Sequence, residues 1–244
     1  MPPVHGVIFD LGGTLLEFPN WESEVAVRWR TTYYQFRAAR SYDIPSEEDF
    51  VAAMLAAEND HWRRVDTEHW SGPPSGLVID GYRRMNCHPH QDEIIEVLDA
   101  CARALNGWAK PFADAQPTLE HLRSKGYRIG LLSNTWWAAD WHNADLATHG
   151  LSDYIDELVY TSDLPHSKPH RIAFQTIAGR LGVPHESCVM VGDRPVDDIS
   201  GALGAGMRAV LKTNGGHPVI AEQIKPTAVI AHLAELPPLL ETFT

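Results

Sequence analysis

The chain has 244 residues, enough for one large or two modest cores, and its 44% hydrophobic and 21% charged residues make an ordinary globular balance. Lys plus Arg is 20 and Asp plus Glu is 32, so the net charge is −12. That argues against nucleic-acid binding, which needs a basic footprint, and an anionic substrate must be captured by local positive charge or a metal.

Cys87, Cys101 and Cys188 are far apart and form no C-x-x-C spacing, so neither a zinc site nor a disulfide framework is expected. A reducing cytoplasm fits that pattern. The start of the chain lacks a basic n-region. Its apolar run, Val7 to Phe9, is too short for a signal or a membrane span, so no membrane partner is expected.

In chain order, VHGVIF at 4–9 reads as a short buried strand ending at Asp10 and a Gly12–Gly13 turn. From about 18 to 110 the apolar residues fall at helical period, roughly over 20–40, 46–66, 76–86 and 90–106, with no strand signal. Ser46 before Glu47 and Glu48 marks one helix start, and Ser71-Gly-Pro-Pro-Ser a loop between helices. Strand–helix alternation begins after Pro111. A helix over about 114–125 is closed by Gly126 and followed by the strand YRIGLLSN. A helix around 143–149, the strand ELVYTSD, a helix near 170–181, the strand CVMVGD and a helix near 197–205 follow. RAVLKT and TAVIAHL read as the last strands. Continuous apolar strands alternating with helices predict an α/β, Rossmann-like parallel sheet with helices on both faces. The core is then 1–17 plus 111–244, with an all-helical cap, 18–110, inserted between the pieces.

In open α/β sheets, ligands bind beyond the carboxyl ends of the strands, and the polar residues fall there. Asp10 follows VIF, Ser133-Asn134 follows IGLL, Asp193 follows VMVG, and Lys168 lies in the loop after YTSD. A carboxylate, a hydroxyl, a lysine and further carboxylates in one place suit phosphoryl transfer. The carboxylate can attack phosphorus, and lysine and metal can neutralise the oxygens. Mg²⁺ takes carboxylate and carbonyl oxygens, which Asp10 and Asp193 can supply.

These segments resemble the four motifs of the haloacid dehalogenase superfamily. FDLGGTL at 9–15 looks like the first, SNT at 133–135 the second, Lys168-Pro169 the third and GDRPVDDISGALGAGM at 192–207 the fourth. The helical insertion is similar to the family's first cap type. The resemblance implies a Mg²⁺-dependent hydrolase of a small phosphorylated metabolite, acting through an aspartyl-phosphate as a monomer or homodimer. It makes Asp10 the nucleophile and Lys168 its catalytic partner, with Ser133, Asn134 and Lys168 binding phosphate. It assigns the metal to Asp10, the Gly12 carbonyl, Asp193 and Asp198, with Asp197 where many relatives carry Asn.

One position departs from the pattern. The family's phosphatases carry a second Asp two residues after the nucleophile, which protonates the leaving group, and here that residue is Gly12. Loss of a general acid costs roughly 10²–10⁴ in rate. Aryl or acyl phosphates should then outrun sugar phosphates unless another residue donates a proton, with Glu17, His61 and His69 as candidates. A dehalogenase needs no such acid, but dehalogenase relatives usually lack the fourth-motif aspartates that this chain keeps. A phosphonatase uses a cap lysine, and residues 1–109 contain no lysine, which excludes its usual mechanism. A non-catalytic binding protein on the same scaffold is a further alternative. Trp136, Trp137 and Trp141 either pack under the cap or at a dimer contact, or form an aromatic wall for the leaving group, packing being favoured. The arginines from Arg28 to Arg84, Arg40 among them, read mostly as a solvated helix face, with one of them as a candidate to reach a second anionic group on the substrate.

Overall fold

In the computed structural model, residues 2–38, 45–216 and 221–243 are described. The end of the expected 20–40 helix, including Arg40, lies outside them. The chain opens with β1 (Gly6–Phe9), and β2 (Leu16–Glu17) follows the glycine turn. Then come α1 (Trp21–Ala38), α2 (Glu47–Glu68), α3 (Pro74–Arg84) and α4 (Gln91–Leu105). After β3 (Lys110–Pro111) the order is α5 (Ala115–Ser124), β4 (Arg128–Ser133), α6 (Ala139–Thr148) and β5 (Glu157–Tyr160). The chain ends through α7 (Arg171–Leu181), β6 (Cys188–Gly192), α8 (Gly201–Gly204), β7 (Arg208–Lys212), β8 (Ala228–Ile230) and α9 (Leu236–Leu240).

The main sheet has six strands in the order β5-β4-β1-β6-β7-β8, and every pairing is parallel. β1 and β6 are buried at every residue, as central parallel strands must be when helices cover both faces. One apolar cluster runs from Val7, Phe9 and Leu131 to Leu119 and Leu236, on one face of the sheet. A second, from Ile8, Leu132 and Met190 to Phe174 and Ile177, fills the other. Successive residues of β1, Val7 and Ile8, enter opposite clusters, and Phe9 rejoins Val7, the period-two signature of a strand. Gly126 takes φ +85° just past α5, as a left-handed helix end requires.

The four helices between β2 and β3 share their own apolar cluster, built on Trp29, Phe50, Met54, Val78 and Val97. Ser46 caps α2 by accepting from Asp49 N at 3.1 Å, and Glu47, Glu48 and Asp49 face the positive end of its dipole.

Several sequence expectations shift. The chain leaves and re-enters this helical segment through an antiparallel ribbon, Leu16 opposite Pro111 and Glu17 opposite Lys110, too short to show a period. α6 begins at Ala139, ahead of the expected 143, because its indole-rich first turn carries no cap signal. The expected 197–205 helix is a π-turn, Pro195–Ser200, followed by the one-turn α8. Such π-turns often occur at functional sites. The final strand is shorter than TAVIAHL. No helix among the described residues is long and apolar enough to cross a membrane.

Candidate active site

β1 delivers Asp10 to the sheet's carboxyl edge, where Asp10 N donates to Val191 O at 2.9 Å and ties the residue to β6. The next turn depends on glycine at one position. Gly13 has φ +76°, and a Cβ there would run into the Asp193 carboxylate. Gly12 is different: its φ is not positive, and a Cβ would meet only the Phe18 ring, at 3.5 Å. Lys212 Nζ and Asn214 Nδ2 donate to the Gly13 carbonyl at 3.2 and 2.9 Å and hold the turn from β7.

Lys168 is 1% exposed, and its ammonium is fully used. Nζ donates to Asp10 Oδ1 at 2.6 Å, to Asp198 Oδ1 at 2.7 Å and to the Leu132 carbonyl at 2.8 Å. Burial disfavours the ammonium, but Asp10 and Asp198 outweigh that and raise its pKa. Asn134 fixes the Lys168 main chain from both sides: its Oδ1 accepts from Lys168 N at 2.8 Å and its Nδ2 donates to Lys168 O at 2.9 Å. One amide hydrogen remains for a ligand, so the residue is first a brace for the lysine. Ser133, the last residue of β4, is buried and lines the cavity beside it.

Asp198 is fully buried, and its Oδ2 accepts from Arg194 N at 2.9 Å. A Cβ on Gly192 would collide with the Asp198 carboxylate, so β6 must end in glycine for the π-turn to fold back. Asp197 is held by Arg194 Nε at 2.8 Å. Asp10, Asp193 and Asp198 offer ligand oxygens that all lie within 4.8 Å of one another. Asp193 Oδ1 is buried without a hydrogen-bond partner. Burial raises the Asp10 pKa against the pull of Lys168, and burial with Asp198 raises that of Asp193. Three carboxylates, an unpartnered buried oxygen and one lysine leave this group short of positive charge. An all-oxygen donor set of this kind fits a hard divalent cation.

Over this cluster lies a cavity of about 680 Å³. Its floor includes Asp10, Gly12, Ser133, Asn134, Lys168 and Asp193. Thus the residues expected from the four motifs converge, with Asp198 buried behind. The opposite wall carries Phe18, Trp21, Glu58, Trp62 and Trp137. Of the three tryptophans weighed from sequence, only Trp137 lines the cavity, packed at 5.6 Å from Phe18 and stacked at 5.0 Å on His142. Trp136 is buried and stacked on Trp29, with ring centroids 5.8 Å apart. Trp141 packs beside both, 6.0 Å from Trp136 and 6.1 Å from Trp137. Packing describes two of the three, and a wall describes the third.

The candidate acids divide in the same way. Glu17 lines the cavity, but His61 and His69 are not among its lining residues. Burial, then the Arg64 charge, pushes His61 down to about 4, so at neutral pH it carries no proton to give. The lining residue missed from sequence is Glu58, 3% exposed on α2. Its only trace was its place in an Ala-rich helical run, where a glutamate reads as solvated.

Comparison with known proteins agrees with this geometry. Residues 4–206 match the family model described as haloacid dehalogenase-like hydrolase. The chain belongs to that family. It is 37% identical over 102 residues to a glyceraldehyde 3-phosphate phosphatase of Methanothermobacter thermautotrophicus, a match spanning 42% of this chain and 44% of that relative. It is 26% identical over 239 residues to the pyrophosphatase PpaX of Bacillus cereus, covering 97% and 96% of the two chains. Among solved structures, a 2-haloacid dehalogenase from Pseudomonas syringae superposes with a TM-score of 0.69 at 26% identity, over 99% of this chain and 100% of that one. A HAD phosphatase from Thermococcus onnurineus superposes at 0.65 with 24% identity, covering 97% and 98%, and supports the fold alone.

Proposed function

We propose that this hydrolase cleaves a small phosphorylated metabolite, with Asp10 as nucleophile, an aspartyl-phosphate intermediate and Mg²⁺ as cofactor. The observation that carries this reading is the Asp10 carboxylate, held 2.6 Å from Lys168 Nζ at the floor of the cavity within a group of carboxylates suited to one cation. Relatives named as phosphatases support the same chemistry. The metal falls to Asp10, the Gly12 carbonyl, Asp193 and Asp198, and when bound it supplies charge that neutralises phosphate oxygens.

The chain's own groups do the rest. Lys168 draws Asp10 toward its carboxylate form, positions it at the cavity and shares the charge of the transferred oxygens. Ser133 and the remaining Asn134 amide hydrogen donate to those oxygens. Residues 18–110 act as a cap whose aromatic wall covers the organic part of the substrate and excludes water. The free, largely buried cysteines suit a reducing cytoplasm.

The dehalogenase reading is weaker, because loss of a halide needs Asp10 but neither Asp193 and Asp198 nor a cation. Assay against phosphorylated metabolites and 2-haloacids, with Mg²⁺ or EDTA, separates the readings. Phosphate release that EDTA abolishes and Mg²⁺ restores is the expected result. Halide release in EDTA would transfer the chain to the dehalogenases. Silence toward every substrate would leave a binding protein.

A further inference from the structure

Gly12 leaves the reaction centre without the carboxyl that would protonate a departing alkoxide, so every other titratable group on the cavity wall bears on the question. Asp10 and Asp193 belong to the cation cluster, and Lys168 is spent on Asp10 and Asp198. Asp66 is exposed and faces Arg194 at 3.5 Å. His142 is pushed down to about 3 by burial, and its Nε2 lies 2.9 Å from Thr135 Oγ1, so it is neutral and occupied. Glu17 is an exposed residue of β2. Glu58 remains.

Its surroundings are unusual for a carboxyl group. Oε2 accepts from Trp29 Nε1 at 2.7 Å and Oε1 from Trp136 Nε1 at 3.2 Å. Among the described residues, no Lys, Arg or His lies within ion-pair distance of it. The nearest charge on α1, Arg28, is engaged elsewhere: its guanidinium lies 4.0 Å over the Trp21 ring, and Nη1 donates to Trp21 O at 2.9 Å. From α4 the neighbour is Cys101, whose thiol is pushed up to about 12 by burial and by Glu58, and so stays neutral. Burial with no cation in ion-pair range favours the neutral carboxyl, and it does so against the two indole bonds, which favour the ionised form. Glu58 also lines the cavity that Asp10 floors.

We infer that Glu58 is the proton donor to the leaving group, a catalytic residue supplied by α2 in place of the carboxyl missing at Gly12. The inference rests on the phosphatase reading. As an Asp10 oxygen bonds to phosphorus, the bond from phosphorus to the leaving oxygen breaks. Its electron pair stays on that oxygen, which takes the Glu58 proton and departs as the alcohol. Glu58, now a carboxylate, takes a proton from the attacking water. The water oxygen bonds to phosphorus while the acyl oxygen of Asp10 leaves, which restores both carboxyl groups and releases inorganic phosphate. Burial raises the Glu58 pKa against the opposing pull of Trp29, Arg28 and Trp136, the direction an acid working near neutrality needs.

The test is a leaving-group series, from 4-nitrophenyl phosphate through phenyl phosphate to a simple alkyl phosphate, with Mg²⁺. Wild type should give a shallow plot of rate against leaving-group pKa. Glu58→Gln should lose about 10²-fold or more on the alkyl ester while staying within roughly threefold on the nitrophenyl ester. Trp29→Phe removes an indole bond and keeps the carboxyl. It should retain alkyl turnover and move the alkaline limb of the alkyl pH profile upward, since that bond favours the ionised form. Equal losses on both esters in Glu58→Gln, matched by Trp29→Phe, would make Glu58 a packing residue and overturn the inference. If Glu58→Gln does not fold, wild type still decides: a steep plot overturns the inference and a shallow one supports it. Wild type silent toward 4-nitrophenyl phosphate would remove the phosphatase reading and this inference with it. A steep plot with brisk aryl turnover removes the inference alone.

Discussion

The sheet edge and the four-helix segment face each other across one cavity, and they bury charge by different means. At the sheet edge, charge meets charge: Asp10, Asp198 and Lys168 lock one another, and Asp193 lies beside them with its buried Oδ1 unpartnered. In the helical segment, a buried carboxyl meets indole N–H groups and rings. In the first arrangement Lys168 pulls Asp10 toward the carboxylate a nucleophile needs, against a burial that pushes its pKa up. The second offers no cation among the described residues, and burial there pushes the Glu58 carboxyl toward its neutral form. On the proposed reading, the sheet edge carries the phosphorus chemistry and the helical segment handles the leaving group.

The strongest test of the sheet side is Asp10→Asn. The amide can still accept from Lys168, and Asp198 still neutralises the ammonium, so the fold should hold. Phosphate release should fall at least ~10⁴-fold, since the nucleophile itself is lost. Retained turnover with unchanged circular dichroism would end the covalent mechanism and leave the two sides of the cavity undivided.

Lys168→Gln comes next and reads stability as well as rate. It strands Asp10 and Asp198 as buried carboxylates without their cation, a loss of the kind that costs roughly 3–5 kcal/mol. Denaturant midpoints at neutral pH should show it. On the helical side, Arg30→Gln removes a pair with Glu47 that stands in solvent, and the midpoint should barely move. Similar shifts in both variants would mean that the sheet-edge pair is no more buried than the surface one.

Each region also holds one buried histidine, so acid should loosen both. Burial pushes His142 at the sheet edge down to about 3, and burial with Arg64 pushes His61 on α2 down to about 4. An unfolded histidine takes its proton near pH 6.5. Below that pH the unfolded chain therefore binds protons that the folded chain refuses, and stability falls, down to about pH 4 for His61 and about pH 3 for His142. Each contributes a slope of about 1.4 kcal/mol per pH unit. His142→Phe and His61→Phe should each flatten the acid limb of a stability–pH curve. A slope unchanged in His61→Phe would show that water reaches the helical interior.

The same division explains what could be read in advance. Asp10, Ser133, Asn134 and Asp193 were legible because apolar runs announce strands and polar residues stand at their ends; Lys168 stood in the loop after one of them, and Asp198 came only from the resemblance to the fourth motif. The ribbon of β2 with β3 was not, since two-residue strands show no period. The π-turn over 195–200 was hidden because its apolar spacing resembles ordinary helix. Glu58 was invisible for a deeper reason. On one helix a buried and a solvated glutamate look alike, and its indole partners Trp29 and Trp136 stand 29 and 78 residues away.

The smallest effect in wild type, and the sharpest use of the comparison, belongs to Gly12→Asp. A Cβ at this position meets only the Phe18 ring at 3.5 Å, ordinary contact, and no left-handed backbone strain resists a side chain. The substitution therefore puts a carboxyl on the sheet side where the family's phosphatases carry one. If Glu58 already protonates the leaving group, a second acid has little to add, and alkyl phosphate turnover in wild type should change by less than about threefold. In Glu58→Gln the same substitution should recover much of the roughly 10²-fold loss, because the acid's role has moved from helix to sheet. The two substitutions act through one step, so their effects should be strongly non-additive. A double-mutant cycle on the alkyl ester reads this directly. Simple additivity there, with Gly12→Asp raising turnover equally in both backgrounds, would mean that Glu58 never touched the proton.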